Sequence, residues 1–382
     1  MSTPAAGAAD RAVPEAERLA RVALSCAVEP GDGRTSSLLR QLGAVKTLEQ
    51  SLVPKPDSRL PDRLAAVDPV RQLEQADRCG TRFLVPGDPE WPVALDQLDD
   101  VVTAEGFGGT PPGLWVKGPM PLTELAASVA IVGSRAASVY GVEMTRTLAD
   151  HLALARVPVV SGGALGIDFQ AHDAALMAGG ATVAVLACGV DRVYPARNRR
   201  LLHHLAAEFA VVSEQPPGSA PTRPRFLARN RLIAAVTRGT VLVEAALRSG
   251  ALNTAGWAEL LSRQVMCVPG PVTSYTSQGV NNWLRQGRGT VVTHGSEVLE
   301  LVGAAGEHLV EEPRGEERPR DSLTPVEQRV LEWVPVSAPA KVDSIARLSS
   351  LHVRDTEGAL RRLQAKRFVR LEEDGWRLVS GA

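Results

Sequence analysis

The chain has 382 residues, of which 44% are hydrophobic, and a formal net charge of −1. This length allows two or three domains with a sizeable core, and the near-zero charge excludes a global polycation, so any nucleic-acid site must be a local patch. No apolar run reaches membrane-spanning length and the N-terminus has no signal-peptide core, so a soluble, cytoplasmic protein is expected. Residues 1–14 are mostly small residues and proline and are expected to be disordered. Residues 15–80 form a helical module. A first helical pattern begins at Glu15, with Leu19, Val22 and Ala23 on one face, and a second runs through Leu38, Leu39, Leu42 and Val45. A third covers residues 70–79. About sixty residues is near the lower limit for independent folding. Such a module either binds DNA or a partner, or only packs on the main domain. Residues 81–118 follow as a connector with two strands, at 82–85 and 114–117, and with Trp91, Pro92 and Leu95 as packing anchors.

The central region is expected to be a doubly wound, mostly parallel α/β domain spanning 81–302. Short Val-rich runs recur at 129–132, 157–160, 182–186, 210–212, 240–243 and 265–268, each followed by small or polar residues and then a longer amphipathic segment. Continuous apolar runs alternating with helical patterns mark a parallel sheet buried on both faces. A short helix at 280–286 and a last strand at 290–292 complete it. In such sheets the loops after the strands share one edge, where ligands bind. Those loops carry Gly133, Ser134, Arg135, Ser138 and Gly141 after the first parallel strand, and Gly162, Gly163 and Gly166 after the second. Glu244 and the segment 249–254 follow the fifth. Glycines at strand-to-helix turns allow close backbone approach, and exposed helix N-termini hold anions. Several such loops converging on one edge point to a phosphate site.

Other chemistry is excluded or bland. No lysine lies between Lys117 and Lys341, so the central domain has neither a P-loop nor a Schiff-base lysine. Gly133 is followed by Ser134 and Arg135 rather than by the glycine-rich dinucleotide fingerprint. Asp168 and His172 stand four residues apart on a predicted helix with no third ligand nearby. They read as structural, with Asp168 capping the helix and His172 bonding locally. Ser161 lacks the elbow of a serine hydrolase. Cys26, Cys79, Cys188 and Cys267 have no metal or redox spacing, and no cofactor is expected. Between Thr222 and Thr240 lie Arg223, Arg225, Arg229, Arg231 and Arg238 around Phe226, with no acidic residue. Either the arginines hold phosphates while the ring stacks a base, or the ring is core and the arginines are a solvated face.

Residues 303–321, rich in Glu, Arg, Gly and Pro, read as a linker. Residues 322–382 then show a capping box at Thr324 and Glu327, helices at 342–348 and 353–366, and strands at 368–371 and 376–379 around Asp374-Gly375. Three helices and a hairpin outline a winged helix. Arg354, Arg361, Arg362, Lys366 and Arg367 lie on or just after the third helix, but Asp355, Glu357, Glu372, Glu373 and Asp374 offset them. The acidic hairpin favours a protein-contact or regulatory role over a DNA-reading one.

Taken in order, these motifs resemble the DNA-processing protein A family (DprA, also called Smf). The resemblance is carried by Gly133-Ser-Arg135 with Ser138 and Gly141, by the segment 161–168 with His172, and by Gly189-Val-Asp191 with Tyr194-Pro195. It continues through Ser213-Glu214, Phe226 with Arg229-Asn-Arg231, Glu244 with Ser249-Gly250 and Thr254, and Pro269-Gly270. It covers residues 82–302 strongly. The helical module (SAM/HhH-like) and the winged helix match the family's accessory domains in position. The resemblance implies a non-catalytic, homodimeric protein that binds single-stranded DNA, protects incoming strands in natural transformation and helps load the RecA recombinase. By motif, Arg135 holds backbone phosphate, and Ser134, Ser138, Gly162 and Gly163 line the pocket. Phe226 contacts a base with Arg223 supplying charge, while Arg229 and Asn230 shape the site. The alternative is a nucleotide-cleaving enzyme of the lysine-decarboxylase-like Rossmann family, with Glu244 and Arg135 as an acid–cation pair. A pure scaffold for recombination proteins is the third class. The loop 99–112 is longer than the family's usual one.

Overall fold

Valine's branched side chain suits a strand covered on both faces, and each Val-rich run of the sequence is a strand of one sheet in the computed structural model. The structure describes residues 12–54, 58–101, 103, 106–310 and 318–379, and divides into two units, residues 1–310 and 311–382. Most of the N-terminal stretch expected to be disordered, part of the linker and part of the long loop after Asp99 lie outside the described residues.

The larger unit opens with helices α1 (Glu15–Ala27), α2 (Gly33–Leu42), α3 (Ala44–Leu52), α4 (Leu60–Ala65) and α5 (Pro69–Arg78). The single helix expected through Leu42 and Val45 is two, because Gly43 takes φ 77° and its N–H bonds the Leu39 carbonyl, closing α2. The Glu17 carboxylate then accepts the N–H of Ala44 at 2.9 Å and caps α3. α4 was not legible, being six residues long with a proline in its first turn. The helices pack on the sheet: Val22 and Ala76 share an apolar cluster with Phe83, Val85 and Trp115. Arg18 reaches across to Asp88 with two hydrogen bonds of 2.6 and 2.9 Å.

Two strands follow, β1 (Thr81–Leu84) and β2 (Leu114–Lys117), and then the parallel core: β3 (Val129–Val132), α6 (Val139–Leu154), β4 (Val159–Ser161), α7 (Ile167–Met177), β5 (Thr182–Leu186), α8 (Arg199–Glu208), β6 (Ala210–Ser213), α9 (Arg223–Val236), β7 (Gly239–Leu242), α10 (Gly250–Leu260), β8 (Gln264–Cys267), α11 (Gln278–Arg285), β9 (Thr290–Val291) and α12 (Gly295–Val302). The strand order is β1-β2-β6-β5-β4-β3-β7-β8-β9, antiparallel at the β1-β2 and β2-β6 pairs and parallel elsewhere. Side chains alternate between two buried layers, as the pleat requires. Ala130 and Val132 face the α9–α10 layer, and Val129 and Ile131 face the α6–α7–α12 layer. From β3 the chain winds outward through β4, β5 and β6, then returns along α9 to place β7 on the other side of β3. The β3/β7 junction is therefore the topological switch point, where the diverging loops leave a crevice.

The smaller unit holds α13 (Pro325–Glu332), α14 (Val342–Ser349), α15 (Val353–Ala365) and a hairpin of β10 (Val369–Glu372) and β11 (Gly375–Leu378). The turn is Glu373-Asp374, since Glu372 pairs with Gly375. Gly375 thus opens the strand rather than making the turn, and its φ of 139° suits glycine where the Ala340 carbonyl lies close. Glu327 is the pivot of this unit. Its side chain is 1% exposed and accepts from the Thr324 N–H, Arg362 Nε and Lys366 Nζ at 2.8–2.9 Å. Burial raises its pKa, but the Thr324 N–H, Lys366 and Arg362 outweigh that and hold it at about 2. A carboxyl held below its unfolded value stabilises the fold above the unfolded pKa, and that stability disappears as pH falls through the folded one. Amide protection factors within residues 325–378 of the full chain, referred to the intrinsic exchange rate at each pH, should therefore fall between about pH 4.5 and 2. Glu327→Gln should remove roughly 2–3 kcal/mol of this unit's stability at pH 7 and abolish that acid step.

Candidate functional site

A crevice of about 830 Å³ opens at the switch point. Residues 133–136 after β3, the loop 246–251 after β7, the first two turns of α9, Tyr194 and Tyr275 form its walls. Its floor is a buried charge network. Arg229, on the inward face of α9, is 6% exposed. Its guanidinium donates to the Gly162 carbonyl at 2.7 Å, to the Val185 carbonyl and to Asn230 Oδ1 at 3.2 Å. A side chain at Gly162 would occupy the space the guanidinium fills, so only glycine lets the cation reach the β4 loop. Burial lowers the Arg229 pKa to about 10, partly restored by Asp168 and lowered further by Arg135, so it remains a cation at pH 7. Asp168 accepts from the backbone N–H groups of Ala164, Gly133 and Gly162. Burial nevertheless pushes its carboxyl above the usual value, against Arg229 and those donors. Asp168 therefore ties the β3 and β4 loops together and does not cap α7; the cap position is Gly166. His172 lies fully buried with Nδ1 2.7 Å from Thr182 Oγ1. Because that hydroxyl donates to the Val159 carbonyl, the proton of the pair sits on Nδ1. Burial and the Arg229 charge hold this imidazole neutral, with a pKa of about 3.

The rim is different in kind. Arg135, Arg223 and Arg248 are exposed, line the crevice, and form no ion pair or hydrogen bond among the described residues. Phe226, half-buried in the first turn of α9, has the Arg135 guanidinium 5.0 Å from its ring centre and that of Arg229 at 5.8 Å. The Tyr194 ring lies 5.6 Å away at 52°. Tyr275, 68% exposed, adds a third ring to the lining. Unpaired cations beside exposed rings are the parts with which a protein holds a single strand: charge for the phosphates, π-faces for the bases.

Ser134, Arg135, Arg223, Phe226, Arg229 and Asn230 all line the crevice, as expected. Ser138, Gly162 and Gly163 do not. The Ser138 hydroxyl donates to Glu244 at 2.6 Å and accepts from the Gly141 N–H at 3.1 Å, which caps α6. Gly162 lies behind Arg229, and the Gly163 carbonyl accepts from Asn198. The proposed Glu244–Arg135 pair does not form. Glu244 is 1% exposed and spends its oxygens on Ser138 and on the Thr276 hydroxyl. Its carboxylate presses on Gly141, where a side chain would collide with it. The arginine segment also divides. Arg223 and Arg229 belong to the crevice, whereas Arg225 pairs with Glu29 at 2.9 Å. Arg231 is buried against Glu214, and Arg238 bonds the Ala126 carbonyl. Tyr194, Arg248 and Tyr275 were missed as lining residues. The first two sit in or beside quoted motifs, so the rule about loops after strands could have found them. Tyr275 has no local signal; the loop after β8 brings it in.

Among the described residues no helix is long and apolar enough to cross a membrane, and no cluster of three His, Cys, Asp or Glu is placed to hold a metal. Fold and crevice together define an extended Rossmann-like α/β protein with a cationic, aromatic-lined ligand crevice at its switch point. The chain belongs to the DNA recombination-mediator protein A family, whose model matches residues 82–303. It is 41% identical over 363 residues, 93% of each chain, to a putative DNA processing protein DprA of Mycobacterium tuberculosis. Among solved structures it resembles DNA processing protein A of Streptococcus pneumoniae, with TM-score 0.61 and 28% identity, over 75% of this chain and 97% of that one. It also resembles the Helicobacter pylori protein, whose structure concerns its single-stranded DNA binding mode, with TM-score 0.51 and 29% identity over 58% and 94% of the two chains.

Proposed function

We propose that this crevice binds single-stranded DNA without catalysis, and that the protein protects incoming strands in transformation and helps load RecA, acting as a homodimer. The observation that carries the reading is the Phe226 ring, flanked by Arg135 and Tyr194 in a crevice whose other exposed cations, Arg223 and Arg248, have no ion-pair or hydrogen-bond partner for their side chains among the described residues. Arg135, Arg223 and Arg248 take phosphates, Ser134 assists at the β3 loop, and Phe226 stacks a base. Arg229 and Asn230 act beneath them, and Gly162 and Gly163 make room for that floor. Ser138 holds the loop start through Glu244. The nucleotide-cleaving alternative loses support because the carboxylate it needs is committed to Ser138 and Thr276.

Residues 81–302 carry the DNA site in this proposal, and residues 322–382 are a winged helix, joined by the 303–321 linker, that contacts protein. Of the cations on or just after its third helix, Arg362 and Lys366 pair with Glu327, and Arg361 pairs with Glu357. Fluorescence anisotropy with labelled oligo-dT and a matched duplex, at two salt concentrations, tests this reading. Single-strand preference that weakens with salt is the expected result. A chain lacking residues 304–382 should retain most of the affinity. Absence of binding to either probe would overturn the proposal.

A further inference from the structure

A second group of unpaired cations begins where the crevice ends. Arg192, Arg197, Arg199 and Arg200 are all exposed, and none of their guanidinium groups forms a hydrogen bond or ion pair among the described residues. The one acidic side chain in that stretch, Asp191, accepts from the Gly218 N–H at 2.8 Å. The group is fixed to the crevice by its own sequence. Tyr194, in ring contact with Phe226, precedes Arg197 by three residues, a span of at most about 11 Å. Asn198, between Arg197 and Arg199, is buried and donates to the Gly163 and Ala164 carbonyls at 2.9 and 3.0 Å. Ala164 lines the crevice. The arginines on either side of Asn198 do not line the crevice themselves but are held beside its wall by that residue's bonds.

Their position is unfavourable in the free protein. Arg197, Arg199 and Arg200 lie at the start of α8, whose first turn contains no acidic residue and whose cap residue, Asn198, turns its side chain to the Gly163 and Ala164 carbonyls and accepts from none of the helix's own N–H groups. A helix N-terminus is the positive end of its dipole and disfavours cations. A local rule broken this way, without a compensating contact among the described residues, marks a surface shaped for an outside anion. The shape fits a strand rather than an isolated ion, because the cations are exposed, successive and continuous with an aromatic-lined crevice.

We infer that this patch is a second contact for the same single-stranded polynucleotide, guiding its phosphates out of the crevice past Tyr194 and along the start of α8. The inference rests on the reading of the crevice as a single-strand site. The test uses the full chain and oligo-dT of about 6 and about 24 nucleotides, one within and one beyond the roughly 4–16 nucleotides that a single-strand site covers. In the triple variant Arg197→Ala, Arg199→Ala, Arg200→Ala, affinity for the long probe should fall about tenfold at moderate salt. Its log–log salt slope should shrink by about 2, the share of three phosphate contacts on a single strand. Affinity for the short probe should be unchanged. The thermal midpoint should hold or rise, since cations leave the helix start, and the triple Lys variant should keep the long-probe affinity. Equal affinity of wild type and triple variant for the long probe would overturn the inference, as would equal losses on both probes. If wild type binds neither probe, the crevice reading fails and takes this inference with it. If it binds both but the triple variant matches it, only the inference fails.

Discussion

Arg231→Met should destabilise the larger unit by roughly 3–5 kcal/mol, the cost of leaving one member of a buried ion pair alone. The Arg231 side chain is 1% exposed and that of Glu214 6%. The guanidinium meets both carboxylate oxygens, at 2.7 and 2.8 Å, and also the carbonyls of Gly109 and Ala228. One side chain thus joins α9, the end of β6 and the loop before β2. Removing it strands the Glu214 carboxylate in a site where, among the described residues, it accepts from no other group. Urea unfolding of the full chain, followed in the larger unit, measures the loss. The double variant Arg231→Met, Glu214→Leu should recover much of it, because an apolar pair of similar volume has no charge to desolvate. A loss below about 1 kcal/mol in the single variant would show that Glu214 reaches water.

The second large effect separates the crevice's floor from its rim. Arg229→Met should cost roughly 2–4 kcal/mol, since it frees two buried carbonyls and leaves Asp168 without its cation. It should also abolish oligo-dT binding by letting the α9 turn beneath Phe226 and the β4 loop move apart. Arg135→Ala should behave oppositely. Its side chain is exposed, sits over the Phe226 ring and forms no ion pair or hydrogen bond among the described residues, so stability should stay within about 0.5 kcal/mol. Loss of one charge-assisted phosphate contact should weaken binding about tenfold or more. Thermal melting and anisotropy on both variants check the pair. Full stability in Arg229→Met, or unchanged affinity in Arg135→Ala, would reverse the assignment.

The division between floor and rim also marks what sequence reading reaches. Strands came through because a residue buried on both faces must be apolar at every position. The run 129–132 is therefore visible without knowing its neighbours. The C-terminal helices were visible through a local signature, the Thr324–Glu327 capping box. Gly133, Ser134 and Arg135 were found because a strand end fixes where its loop must lie. Arginine was the difficulty. Arg223, Arg225, Arg229, Arg231 and Arg238 look alike in sequence. On α9 a rotation of about 100° per residue sends one to the crevice rim, one under it, one to Glu29 and one into the core. Ser138 and Glu244 stand 106 residues apart, so nothing local could show that the hydroxyl serves the carboxylate and not a ligand.

By itself the sequence determined the alternation of buried strands and amphipathic helices, hence the doubly wound sheet, its switch-point edge and the family. Those follow from periodicity and short-range steric rules, which act within a few residues. Only the tertiary structure decided which cations are spent. Ion pairing depends on distances of a few ångströms between residues far apart in the chain. Packing commits Arg231 to Glu214 and Glu244 to Ser138, and leaves Arg135, Arg223 and Arg248, which line the crevice with Phe226, without an ion pair among the described residues.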